Sequence, residues 1–143
     1  MTTHTTNYYD TFIAVAEDCA APGAVVPPER AAPSVAELTY RMIAEHPYTH
    51  TSDDVVFGVW ADRRGIAEAE RDAARAEFFS KGQPCLRSSD LGKRYGWGVH
   101  ADAEGRVAIV PLGSAEYESL AAGVAPGGGP VTVTRAMRSS RAK

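Results

Sequence analysis

The sequence has little cysteine, no excess of positive charge, no long apolar run and no known catalytic motif, and each lack narrows what the chain can be. Its two cysteines, Cys19 and Cys85, cannot build a disulfide framework. In a chain without an export signal they read as reduced thiols. The opening MTTHTTNYYD offers neither a basic nor an apolar signal region. No apolar run approaches the ~20 residues of a membrane helix, so the cytoplasm is the expected compartment and a membrane is not an expected partner. A formal net charge of −3 argues against a dedicated nucleic-acid binder, which is normally basic. There is no internal repeat. The Gly-rich run at 127–129 lacks the strand–loop–helix context of a phosphate-binding fingerprint and reads as a linker.

What is present suits one domain spanning residues 1–143, long enough to bury about two thirds of its unfolded surface. Residues 11–18 read as a strand with both faces partly buried. The proline-rich stretch 21–33 reads as a loop, expected to be flexible, because its prolines remove backbone donors. Ser34 and Glu37 fit a capping box that opens a helix, with Val35, Leu38 and Met42 at helical spacing and Pro47 ending it. The continuous apolar run 55–61 reads as a central strand. Residues 66–79 read as a helix whose Ala69, Ala73 and Ala76 form a narrow face against a sheet. Segments 97–101 and 106–110 read as a hairpin, Ser114 caps a short helix reaching about Ala121, and 131–134 alternates like an edge strand. A flexible connector at 123–130 and a basic tail at 135–143 complete the chain. The resulting order predicts a compact α+β domain, mostly antiparallel in its sheet, with helices packed mainly on one side.

The chemistry concentrates in residues 80–100, SKGQPCLRSSDLGKRYGWGVH. Glycine and proline interrupt every regular period there, and binding residues favour loops on a rigid scaffold. Cys85 is a candidate nucleophile, with Lys81, Arg87 and Lys93 to stabilise a thiolate and His100 as a base. The plainer alternative is a small buried hydrophobe. The Cys-x5-Arg spacing of a phosphatase loop is missing. Arg87, Ser88, Ser89, Lys93 and Arg94 together suit an anion, with Tyr95 and Trp97 as a stacking wall. Trp97 could equally close the core, with its flanking glycines marking a bulge. His46, His50, Asp53 and Asp54 have the residue types of a metal site, but Pro47 keeps the histidines off one helical face. A helix C-terminus and a turn cap explain them as well, so no metal is expected. His4 and Asn7 belong to a polar N-terminal segment that either docks to complete a pocket or leads in without order; Tyr8 and Tyr9 favour docking. Arg135, Arg138, Arg141 and Lys143 read as a solvated tail.

Four fragments carry a resemblance: HTTNYYDTFIAVAEDC, TSDDVVF, FFSKGQPCLRSSDLGKRYGWGVH and RAMRSSR. Together they resemble an uncharacterised bacterial family labelled domain of unknown function 6157. The resemblance runs almost end to end, except for the proline-rich loop and the Pro-Gly connector. It implies a small stand-alone cytoplasmic protein in which His4, Asn7, Asp53, Asp54, Cys85, Arg87, Tyr95, Trp97 and His100 hold motif positions. It brings no activity and no cofactor.

The residues therefore predict a pocket around 85–100 that binds a small anionic or aromatic metabolite. Arg87, Lys93, Tyr95, Trp97, His100, His4 and Asn7 are the expected ligand-binding residues, and Cys85 and His100 are the catalytic candidates if the protein acts on its ligand. The rival class is a non-catalytic module binding protein or nucleic acid. A homodimer pairing through 131–134 is a further expectation.

Overall fold

The structure, a computed structural model, describes residues 4–139. The chain runs β1 (Thr11–Ala14), α1 (Val35–Ala44), α2 (Ser52–Arg64), α3 (Arg71–Phe78), α4 (Asp90–Lys93), β2 (Trp97–Ala101), β3 (Val107–Pro111), α5 (Ala115–Ala121) and β4 (Thr132–Arg135). The strands form one sheet in the order β3-β2-β1-β4. The β3/β2 and β2/β1 pairs are antiparallel and the β1/β4 pair is parallel. This is a compact single α+β domain, and no helix among the described residues is long and apolar enough to cross a membrane.

Alternation along the strands divides the core in two. Ile13, Val99, Ala101 and Val107 face Ile43 of α1 and Val55 and Val59 of α2, with Leu86 and Ala136 closing the cluster. Phe12, Ala14 and Val110 face the other way, onto Tyr117 and Leu120 of α5. The Phe12 and Tyr117 rings meet edge to face at 5.0 Å. Beyond Ala14 the Val15 N–H donates to the Tyr117 hydroxyl at 2.9 Å, so β1 is shorter than its apolar sequence predicts.

Residues 55–61, expected as a central strand, lie within helix α2. Two end signals decide this. The Thr51 hydroxyl accepts from the Asp54 N–H at 3.2 Å while the Asp54 carboxylate accepts from the Thr51 N–H at 3.0 Å, a complete capping box. Gly65 then closes the helix in the left-handed region, φ 63°. The run is apolar on consecutive residues because α2 is covered on several sides. Val55 and Val59 meet the sheet, and Phe57 and Ala61 meet Phe78 and Phe79.

Two further expectations change. The helix expected over 66–79 is a 3-10 turn (Glu68–Glu70) followed by the shorter α3. Ala69, Ala73 and Ala76 are exposed; α3 rests on α2 through Phe78 and Ala74, not on the sheet through alanine. At α1, Ser34 accepts from the Glu37 N–H at 3.1 Å, as expected. The Glu37 carboxylate does not return to Ser34. It accepts from the Arg30 N–H at 3.1 Å and pairs with Arg41, tying the proline-rich stretch to the helix.

Gly98 on β2 has no room for a side chain: a Cβ there would stand 2.5 Å from Phe12 Cζ and 2.7 Å from Cε1. Gly98→Ala is expected to destabilise the fold by about 1–3 kcal/mol, since overpacking a filled core forces rotamers and backbone to shift. A urea midpoint equal to wild type would show that the Phe12 ring does not occupy this position.

Candidate functional site

The segment 80–100 folds as a 3-10 turn (Leu86–Ser88), the one-turn α4 and then β2. The Ser89 hydroxyl caps α4 by accepting from the Leu91 N–H at 3.2 Å. Its reactive side chains are largely engaged in holding other parts of the chain. The Arg87 Nε–H donates to the Arg135 carbonyl at 2.7 Å, and the Arg87 carbonyl accepts from the Met137 N–H at 2.8 Å. Arg87 thereby fastens the end of β4. Trp97 is half-buried against Tyr40, ring centroids 5.4 Å apart, and its indole N–H donates to the Val25 carbonyl at 2.9 Å. The Tyr95 carbonyl accepts from the Val25 N–H at 2.8 Å, so both aromatic residues hold the proline-rich stretch. Arg94 pairs with Asp90 at 3.6 Å, and half-buried Lys93 ends α4.

The N-terminal segment docks. Asp53, at the start of α2, accepts from the Thr5 hydroxyl at 2.8 Å, the Thr6 N–H at 2.6 Å and the Thr6 hydroxyl at 2.8 Å. Asn7 Oδ1 accepts from the Asp53 N–H at 2.8 Å, and the His4 N–H donates to the Phe79 carbonyl at 2.9 Å while its ring stays exposed. Asn7 and His4 thus anchor chain against α2 and α3. Beyond them, Tyr8 reaches the Cys85 thiol, with Oη 3.2 Å from Sγ. Burial and then the thiol contact push the Tyr8 phenol above its ordinary range, against the pull of nearby Arg87.

The four metal candidates do not converge. Burial opposes ionisation of Asp54, yet the Thr51 N–H and Arg75, 2.9 Å away, hold its carboxyl below the ordinary range. Asp53 is occupied by Thr5 and Thr6, while the His46 and His50 rings meet each other edge to face at 5.6 Å. No group of three His, Cys, Asp or Glu side chains suited to a metal occurs among the described residues.

His100 lies on the opposite face of the sheet from Cys85 and Arg87. It pairs in register with Phe12 and Ala108, on the α5 side, whereas Val99 and Ala101 beside it face α1 and α2. Leu86, next to both Cys85 and Arg87, packs in the α1/α2 cluster. The expected single cleft joining Arg87 or Cys85 to His100 is therefore divided by the sheet. His100 Nδ1 instead meets the Tyr48 hydroxyl at 2.8 Å. Tyr48 itself holds a left-handed backbone, φ 56°, secured by its N–H to the Val107 carbonyl at 2.9 Å.

The structure offers a different concavity. A groove of about 460 Å³ lies between α1, α2 and residues 83–89. Val55, Val56, Val59, Trp60 and Phe78 make an apolar wall, Cys85, Leu86, Ser88 and Ser89 face them, and Arg63 and Arg64 stand at the rim. The Arg64 guanidinium lies 4.8 Å over the Trp60 ring. Neither Arg63 nor Arg64 makes an ion pair among the described residues. A second hollow of about 360 Å³ continues past Trp60, Phe78 and Gln83 toward Lys81. Sequence reading reached Cys85, Ser88 and Ser89 but missed Trp60, Arg63 and Arg64. The Thr51-x-x-Asp54 box and Gly65, read as the two ends of one helix, would have found them.

The C-terminal basic residues are partly placed. Arg138 pairs with Glu17 at 3.0 Å and Arg135 reaches the Val15 carbonyl at 3.4 Å, while Arg141 and Lys143 lie outside the described residues.

The model of a family described as "Family of unknown function (DUF6157)" matches residues 3–142, and the chain belongs to that family. No curated protein and no solved structure matches it.

Buried His100 yields the pH dependence. Burial drives its pKa below the ordinary 6.5, outweighing the opposing pull of Asp102, Asp10 and Glu116. The folded state then binds fewer protons at this site than the unfolded chain, so stability rises with pH. The contribution is complete above the unfolded value and is lost as pH falls through the folded one. Thermal melts of wild type should drop between about pH 7 and 5 more steeply than those of His100→Gln. Parallel profiles would refute the buried neutral imidazole.

Proposed function

We propose that this protein binds a small anionic or aromatic molecule in the groove between α1, α2 and residues 83–89. The observation that carries this reading is the pairing of an aromatic and aliphatic wall with two guanidinium groups that no carboxylate among the described residues occupies. Its volume, about 460 Å³, lies within the usual range for small-molecule sites, about 300–1,000 Å³. Trp60 contributes aromatic surface to the wall, and Val55, Val56 and Val59 remove apolar surface of the ligand from water. The function is binding: the Cys85 thiol has Tyr8 as its neighbour, and the imidazole it would need as a base is across the sheet. Both thiols are unpaired, which fits work in the reducing cytoplasm.

The chain has only two tryptophans, so two indole N–H resonances report on ligands separately. Screening small aromatic and branched apolar fragments by NMR should move the Trp60 signal and leave the Trp97 signal, whose N–H is already bonded to Val25. Trp60→Ala should weaken the best fragment about tenfold or more, the effect of losing a stacking wall. An empty screen would end this reading.

The sheet edges favour a second reading, self-association. The outer edge of β3 is covered at its first residue: Tyr48 N–H donates to the Val107 carbonyl and Val107 N–H to the His50 carbonyl, each at 2.9 Å. At the other end β1 is the one strand beside β4 among the described residues, the Thr132 and Ala136 N–H groups donate toward it, and Arg87 takes the Arg135 carbonyl. Strand alternation turns the Val133 N–H outward, beside its exposed side chain. A second copy pairing there would give a concentration-dependent dimer in sedimentation. Val133→Pro removes that donor and should leave only monomer; a monomeric wild type at high concentration would reject the dimer.

A further inference from the structure

We infer that the ligand of the groove is an aromatic monocarboxylate, seated with its ring against Trp60 and its carboxylate held at the rim by Arg63 and Arg64. The inference rests on the groove reading above and adds the ligand's polarity, charge and orientation.

The charged groups of the groove all belong to the last turn of α2. On the side formed by residues 83–89 every polar side chain already has a partner. The Gln83 amide donates to the Phe78 carbonyl at 2.7 Å, and the Cys85 thiol meets Tyr8 at 3.2 Å. The Ser88 hydroxyl meets the Met137 sulfur at 3.2 Å, and the Ser89 hydroxyl caps α4. The α2 side presents valine and tryptophan. A sugar, a nucleotide or any ligand polar along its length would leave its own donors and acceptors unmatched there, at the full cost of their desolvation. Among the described lining residues the unpaired cationic donors are those of Arg63 and Arg64, and the α1 side adds one neutral hydroxyl, that of buried Thr39. A ligand apolar through its body and polar at one end fits this distribution.

The charge of that end is set by where the two arginines stand. The Arg64 Cζ lies 4.8 Å over the Trp60 ring, and its guanidinium makes no ion pair among the described residues, so its fork of N–H donors remains for an acceptor. A planar carboxylate matches that fork in geometry as well as charge. Both arginines occupy the last turn of α2, whose carbonyl end carries about half a negative charge. The net field at the rim is thus weaker than two isolated cations would give. One negative charge is accommodated, and a dianionic phosphate would meet the helix terminus with part of its charge unbalanced.

The test uses three compounds with one body and different heads: 2-naphthoate, 2-naphthamide and 2-naphthyl phosphate. Each is titrated into the full chain while the two indole N–H resonances are followed. 2-Naphthoate should shift Trp60, leave Trp97 in place and bind at least about tenfold more tightly than the amide, as expected for charge-assisted hydrogen bonds. Arg63→Gln and Arg64→Gln, both at exposed positions, should weaken the acid more than the amide and so reduce that preference. Equal binding of acid and amide would overturn the carboxylate assignment while leaving groove binding intact. Tighter binding of the phosphate would overturn the monoanion. If none of the three moves Trp60, the carboxylate inference fails, and the fragment screen separately decides whether the groove binds small molecules at all.

Discussion

The reciprocal hydrogen bonds between Thr51 and Asp54 fix where α2 begins, and α2 places nearly everything on one face of the sheet. Its first turn also carries Asp53, whose carboxylate gathers the Thr5 and Thr6 donors and so brings the N-terminal segment onto the body. Further along, Val55 and Val59 enter the main core and Phe57 and Ala61 support α3. The last turn presents Arg63 and Arg64. A shift of one residue in the start of this helix would rotate all of these sets by about 100°, because successive residues of an α-helix are spaced by 3.6 per turn. A cap with both of its hydrogen bonds formed opposes that slip, which is a larger consequence than the ~1 kcal/mol usually assigned to a cap.

The segment richest in chemical groups serves a different need. Irregular backbone that crosses a protein must satisfy its own polar groups, and so must the loops it touches. Residues 80–97 do this for their neighbours. Trp97 and Tyr95 hold the stretch around Val25, and Arg87 holds the chain leaving β4. No buried side-chain nitrogen or oxygen among the described residues is left without a partner. Composition alone does not distinguish a side chain that binds a ligand from one that binds the chain itself, since both tasks favour arginine, serine and aromatic residues.

Much of the sheet was legible in the sequence. The hairpin of β2 and β3, the capped α5 and the edge position of β4 follow from turn residues and alternation, and local signals specify them. The run 55–61 misled because burial on several sides erases the helical period. Read as a strand, it would put Val56 and Trp60 on one face and carry nothing as far as Arg63. In the helix, Val56, Val59, Trp60 and Arg63 recur at helical spacing and become one wall. The groove was hidden by a single wrong period, while Cys85, Ser88 and Ser89 on its far side were already in view. Separation of His100 from Arg87 was illegible for another reason. Which face of the sheet a residue takes depends on register, and register here is set by Phe12, far away in sequence.

In the proposed site the usual expectation that binding residues sit on loops is inverted, and the cause is hydrogen-bond accounting. A loop such as 83–89 has few backbone partners of its own, so its hydroxyls, amide and thiol turn inward to Leu91, Met137, Phe78 and Tyr8. A helix satisfies its backbone internally, which releases its side chains from that task. Arg63 and Arg64 are available at the rim because α2 needs nothing more from them than a favourable charge at its carbonyl end. The irregular segment supplies one wall and the fastening, and the regular one supplies the open donors. The character of the groove, with its cations on the last turn of α2 and an engaged loop wall opposite, follows from that division between a segment that must hydrogen-bond inward and one that need not.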